Sequence, residues 1–177
     1  MTTWIALFRG INVGGKNVLP MAALRSDLET LSLTNVRTYI QSGNVVFESR
    51  AKSANNLSKK MTEQISKNHG FTPDVIVFTS DDLQTAIDNN PFPEGTEDPK
   101  TLHFFFLSRP AKSPDRDAIE KAARPSERFL LTERVFYLHA PDGIGRSKLA
   151  ASVEKFLGVA VTARNYRTVD QLITMIN

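Results

Sequence analysis

Gly10, Gly15 and Lys16 fall at the spacing G-x-x-x-x-G-K. In a nucleotide-binding loop that spacing wraps backbone N–H groups around phosphates and sets a lysine against them. A working loop also needs Ser or Thr after the lysine to hold magnesium, and here Asn17 follows. It needs a helix that starts at once, so that its N-terminal amides face the phosphates; Val18, Leu19 and Pro20 delay the helix by about a turn. "VIVFTSD", Val75–Asp81, could pose as the magnesium-binding strand end, but Asp81 is better explained as first-turn helix chemistry. The pattern is therefore read as a crossover loop and not as a P-loop.

Anion chemistry remains. Arg9, Asn12, Gly14, Gly15, Lys16, Gln41, Ser42 and Asn44 make a first candidate cluster. Adjacent glycines let consecutive N–H groups turn into a concavity that suits an anion, and Arg9 and Lys16 add positive charge. Turn chemistry alone accounts for most of the same residue types. The second candidate cluster is Asp142, Gly143, Gly145, Arg146, Ser147 and Lys148, together with Arg164, Asn165, Tyr166 and Arg167. Ser147 suits a helix N-cap. Arg146 and Lys148 flank it, and positive charge there opposes the helix dipole unless an anion binds among the free amides. The arginines add guanidinium groups and Tyr166 a stacking surface. Asp142 among these cations reads as a salt-bridge partner. The competing reading of the second cluster is an exposed basic rim.

Composition narrows the chemistry. There is no cysteine, which excludes disulfides, thiolate nucleophiles and sulfur-ligated zinc. His69, His103 and His139 make no metal-ligand spacing, and neither metal nor cofactor is expected. No paired carboxylates and no Ser-His-Asp set emerge. His103, His139, Trp4 and Phe104–Phe106 read as core or sheet residues, and Tyr39 as a cross-strand packing residue. A net charge of +3 over 177 residues permits an anionic partner without demanding one. No apolar run approaches the roughly 18–20 residues that span a bilayer. Arg9 interrupts the N-terminal apolar run, so a signal peptide is not expected; the expected compartment is the cytoplasm, with no membrane partner.

The elements that must position these clusters follow from periodicity. Trp4–Arg9 is a strand. Met21, Leu24, Leu28 and Leu31 predict a helix over about residues 20–31. Val36–Ile40 and Val45–Glu48 form a hairpin around Ser42-Gly43-Asn44. Leu57, Met61 and Ile65 mark a helix stopped by Gly70, and "PDVIVFTS" is a buried strand. Ser80 is expected to cap a short extra helix. Residues 89–100 are rich in Pro, Gly and acids, which places a boundary between subdomains 1–90 and 91–177, expected to associate tightly. The order then repeats: "TLHFFFL", a helix opened by Ser113-Pro114, the hairpin "RFLLTERVFYLHA", a helix opened by Ser147, "VAVTA", and a last helix with Thr168 and Gln171 as capping box.

Each half thus reads strand-helix-strand-strand-helix-strand plus one helix, an α+β fold of two ferredoxin-like (βαββαβ) subdomains with mainly antiparallel sheets. In that topology the Gly10–Lys16 loop and the Ser42–Asn44 turn are neighbours. By the same logic Asp142–Lys148 and Arg164–Tyr166 are expected to be neighbours at one sheet end of the second half.

"LFRGINVGGKN", "TYIQSGNVVF", "NPFP", "GRSKL" and "TARNYRTV" together resemble the bacterial family known as domain of unknown function 1697. The resemblance runs over nearly the whole chain. It implies a two-subdomain α+β fold and no established activity. Tyr166 stands where the family pattern leads one to expect Trp, and Ser32 where Gly often ends the first helix.

The leading functional reading is a binding module for a phosphate-bearing ligand, a nucleotide or a nucleic-acid strand, carried by the basic Gly-rich loops. An enzyme acting on a small anionic metabolite, with Arg146, Lys148 and Arg164 as electrostatic stabilisers, and a protein-interaction module stay open beside it.

Overall fold

The apolar runs become eight strands in two antiparallel sheets, seen in a computed structural model that describes residues 1–177. The first half runs β1 (Thr2–Arg9), α1 (Met21–Glu29), β2 (Thr34–Tyr39), β3 (Asn44–Ser49), α2 (Ala54–His69), β4 (Asp74–Thr79) and α3 (Ser80–Asp88). A 3₁₀ turn, Pro93–Thr96, follows. The second half runs β5 (Leu102–Leu107), α4 (Arg116–Ala122), β6 (Arg128–Leu131), β7 (Val135–His139), α5 (Lys148–Leu157), β8 (Val161–Asn165) and α6 (Tyr166–Ile176). The sheet orders are β2-β3-β1-β4 and β6-β7-β5-β8, with every pairing antiparallel. This is the ferredoxin-like order twice over, so the α+β reading holds. The chain divides into two compact units: Met1–Thr85 with Leu172–Asn177, and Ala86–Gln171. The division falls inside α3, and the last turn of α6 goes with the first unit.

In unit 1 one sheet face packs Trp4, Ala6, Phe8, Val45, Phe47, Val75 and Val77 against Leu24 and Leu28 of α1 and Leu57, Met61 and Ile65 of α2. Each buried Val, Leu, Ile, Phe or Met side chain among these contributes roughly 1.5–3 kcal/mol by leaving water. The opposite face, Ile5, Leu7, Val46, Ile76 and Phe78, is buried too. Burial on both faces is why these strands read as unbroken apolar runs. In unit 2 Phe105, Leu107, Phe136, Leu138 and Val161 pack on Ile119 of α4 and on Leu149, Val153 and Leu157 of α5. On the other face Phe104 meets Tyr137 edge-on at 4.8 Å between ring centroids, and the Tyr137 hydroxyl donates to the Ala86 carbonyl at 2.7 Å. Burial pushes that hydroxyl's pKa up to about 12.

The helix ends show how local chemistry sets the boundaries. Ser53 caps α2 and Ser147 caps α5, and both helices stop at a left-handed glycine, Gly70 and Gly158. Three expected caps are displaced. Asp115, not Ser113, caps α4. Thr79, not Ser80, caps α3: its Oγ1 accepts from the Asp82 N–H while Asp82 Oδ2 accepts from the Thr79 N–H. Asn165, not Thr168, caps α6, its Oδ1 accepting from the Thr168 N–H at 3.1 Å. In both appended helices the last strand residue is the cap, because the strand runs into the helix with no linker. No helix is long and apolar enough to cross a membrane.

Candidate functional site

The first loop leaves β1 at Arg9 and doubles back on itself. Asn12 N–H donates to the Asn17 carbonyl and Lys16 N–H to the Val13 carbonyl, both at 3.0 Å. Gly14 and Gly15 form the tip at φ 56° and 74°. Two consecutive positive φ values are the signature of a type I′ hairpin turn, so these glycines close a miniature hairpin. The antiparallel sheet and a helix delayed until Met21 agree with the reading that this is no P-loop.

Side-chain amides lock the loop in place. Asn12 Nδ2 donates to the Leu19 and Gln41 carbonyls at 2.9 and 2.8 Å, and its Oδ1 accepts from the Leu19 N–H at 2.7 Å. Asn17 Nδ2 donates to the Gly10 carbonyl. On the adjoining hairpin tip the fully buried Asn44 donates to the Tyr39 carbonyl and to Ser42 Oγ, each at 3.0 Å. The loop and the turn are indeed neighbours, joined by Asn12 to Gln41 and by Phe8 N–H to the Gly43 carbonyl. Of the first cluster, Asn12 and Asn44 hold architecture. Arg9, Gly14, Gly15, Lys16 and Gln41 are exposed, and Ser42 is half-buried.

The second loop links β7 to α5. Gly143 N–H donates to the Ala140 carbonyl, with φ at 90°. Ser147 is buried; its Oγ accepts from the Ala150 N–H at 3.0 Å. The Arg124 guanidinium donates to the Arg146 carbonyl. Asp142 does not pair with a cation as expected: its Oδ2 accepts from the Ser126 hydroxyl at 2.5 Å. Gly145, Arg146 and Lys148 are exposed. The first turns of α3 and α4 carry acids, as the helix dipole favours, whereas α5 has none and begins on Lys148.

The Arg164–Arg167 segment is placed differently from the loop expected. β8 extends to Asn165, so Arg164 lies in register opposite Phe104. Its guanidinium donates to the Ala163 carbonyl at 2.9 Å, and burial lowers its pKa to about 10. Asn165 is the α6 cap. The Tyr166 ring lies 6.0 Å from that of Phe104, and burial, then the Asp170 carboxylate, raises its hydroxyl pKa. Arg167 is exposed. The two groups share a sheet end, where β7 finishes beside Leu102 and β8 beside His103, but their strands are not adjacent as expected. β5 separates them, two strand spacings or about 10 Å.

His103 and His139 are sheet residues, as expected. Burial holds the His103 imidazole down to a pKa of about 4; burial, then the Arg128 charge, lowers that of His139. No group of three His, Asp or Glu side chains converges to hold a metal.

Two features escape the sequence reading. Asp27 on α1 is buried, with Oδ2 2.6 Å from His69 Nε2 and Oδ1 accepting from Asn68 Nδ2 at 2.7 Å. Its position three residues after Leu24, on the apolar stripe, is the available signal. The other is a groove between α4 and β6, lined by Arg116, Ile119, Glu120, Phe129, Leu130, Leu131 and Phe136.

A family model described as protein of unknown function DUF1697 matches residues 1–137. Among solved structures, the conserved bacterial protein SP0830 from Streptococcus pneumoniae is similar over 99% of both chains, at 27% identity and a TM-score of 0.72. No curated protein matches the chain.

Proposed function

We propose that this chain, which belongs to the DUF1697 family of proteins of unknown function, binds a phosphate-bearing ligand, a nucleotide or a nucleic-acid strand, at the start of α5. One observation carries the reading. Arg146 and Lys148 stand exposed on either side of the Ser147 cap, where the helix dipole already repels cations. An anion among the first α5 amides would turn both unfavourable terms favourable. The neighbouring Gly145 leaves open space for its approach. Arg9, Gly14, Gly15 and Lys16 supply the corresponding exposed groups of the first loop.

Thermal unfolding with inorganic phosphate, nucleotides, phosphorylated metabolites and short oligonucleotides tests this. A ligand at about 100 times its dissociation constant stabilises the fold by roughly 2.7 kcal/mol. The expected outcome is a higher midpoint with one of these classes, lost in Arg146→Ala/Lys148→Ala. If the ligand is a nucleic acid, affinity falls steeply with salt; a mononucleotide gives a shallower slope. Equal midpoints in every condition, with both proteins folded, leave the cations as solvated surface.

A further inference from the structure

The outer edge of the unit 2 sheet is open. β6 is its end strand. Thr132 N–H donates to the Val135 carbonyl, so along the alternating antiparallel ladder Leu130 and Arg128 exchange bonds with Tyr137 and His139. The N–H and C=O groups of Phe129 and Leu131 therefore point away from the sheet. α4 flanks this edge and leaves it uncovered. Arg116, Ile119 and Glu120 lie on one face of α4, and with Phe129–Leu131 and Phe136 they border a small groove of about 120 Å³. The floor is apolar: Ile119 is buried, and the Phe129 and Phe136 rings stack at 5.8 Å. Arg116 and Glu120 stand exposed on the rim, a turn apart, and do not pair with each other.

Sheet edges left open are normally blunted by bulges, prolines or very short length. The β2 edge of unit 1 follows that rule, with a register shift between Thr34 and Arg37 and Asn35 at φ 50°. β6 is short, but it carries neither bulge nor proline, and Leu130 on it is 43% exposed. We propose that this groove binds an extended peptide by strand addition. The peptide backbone pairs with the outward groups of Phe129 and Leu131. One apolar side chain fills the space against Ile119 and the stacked rings. An acidic residue on one side of that anchor meets Arg116, and a basic residue on the other meets Glu120. The wall itself selects this partner: main-chain donors and acceptors repeating every second residue match an extended backbone, and a small apolar molecule would leave them unpaired.

The test uses the 177-residue chain and fluorescein-labelled octapeptides of Thr with one central Leu, Ile, Phe or Met, flanked by Glu on one side and Lys on the other. Anisotropy should saturate with at least one anchor. Methylating the peptide amides that face Phe129 and Leu131 should weaken binding about tenfold, the loss of a fixed hydrogen-bond pair. Bound peptide should slow exchange of the Phe129 and Leu131 amides. Arg116→Glu/Glu120→Arg should prefer the peptide with its Glu and Lys interchanged. The idea is overturned by the absence of saturation with every anchor, by equal affinity of the methylated peptide, or by protection elsewhere. A mass that doubles with concentration while these two amides become protected also overturns it, since the edge then belongs to a second copy of the chain.

Discussion

The two units share one strand order and spend their loops at opposite ends of it. In unit 1 the elaborate connection follows the first strand, from Gly10 to Pro20, and sits beside the β2–β3 hairpin tip. In unit 2 it follows the third strand, from Ala140 to Ser147, at the end away from the β6–β7 turn. The unit 1 loop is closed by Asn12, Asn17 and Asn44 bonding to carbonyls, with Gly43 packed under Ile11. The unit 2 loop is held by Ser126 on Asp142 and Arg124 on Arg146, and the glycines of both loops face open space, unlike Gly43 of the hairpin turn. A duplicated topology thus yields one loop anchored to the neighbouring hairpin through Asn12 and one tied down by side chains from the preceding segment, both with exposed tips.

Glycine replacements at one packed and one open position, the unit 1 hairpin turn and the unit 2 loop, test this contrast most directly. A Cβ on Gly43, at φ 81°, would lie 2.6 Å from Ile11 Cδ1 and 2.7 Å from Phe8 Cβ. Left-handed strain of about 1–2 kcal/mol and overpacking of about 1–3 kcal/mol add, so Gly43→Ala should cost about 3 kcal/mol. Gly143, at φ 90°, has nothing within 4 Å of the added atom, so Gly143→Ala should cost only the strain, about 1 kcal/mol. Urea unfolding of both variants measures the difference. Equal losses would mean that the unit 2 loop is as tightly built as the unit 1 hairpin turn on which the first loop rests.

How far this was legible in the sequence differs by level. Strand order, helix faces and the pairing of the first loop with the hairpin tip follow from periodicity and topology, because Leu57, Met61 and Ile65 fix one helix face and the unbroken run Trp4–Phe8 calls for a strand buried on both faces. Side-chain placement at element ends does not follow. Reading "VAVTA" as a strand ended it at Ala163 and left Arg164 in a loop; the strand instead runs Val161–Asn165, and one register step turns a rim cation into a sheet residue opposite Phe104. The letters of a capping box at Thr168 and Gln171 misled because a strand that enters a helix directly lends its own last residue as the cap. Nothing local announces that Asn12 will bind Leu19 and Gln41, since both partners are brought there by the fold. The Arg146-Ser147-Lys148 arrangement is local, and there the sequence and the structure agree on a capped helix start between exposed cations.

The histidines of unit 2 sharpen the comparison through pH. His103 titrates near pH 4 in the folded protein against about 6.5 unfolded, so the unfolded chain binds more protons between those values. Stability from this group is fully present above pH 6.5 and is lost as the pH falls toward 4. Between pH 7 and pH 5 the loss is about 2 kcal/mol by proton linkage, and His139 acts in the same direction. His103→Gln should flatten the slope by about that amount. A wild type and a variant with the same slope over that interval would mean that His103 is solvated enough to charge without cost.

The smallest expected effect is a gain, and it lies in unit 1. α2 and α5 end at left-handed glycines, Gly70 and Gly158, but the turn after α1 places Ser32 at φ 61°. A side chain in that region costs about 1–2 kcal/mol, while glycine in its place restores about 0.4–1 kcal/mol of unfolded-chain entropy. Ser32→Gly should therefore stabilise by about 0.5 kcal/mol, seen as a raised urea midpoint at unchanged slope. The reverse change, Gly158→Ser, should destabilise by a similar or larger amount, because its added side chain meets the same backbone with nothing packed around it to help. If Ser32→Gly instead destabilises, then the serine side chain, and not the backbone, sets how α1 hands the chain to β2. The unit 1 loops would then owe more to their side chains than the asparagine clasps alone imply.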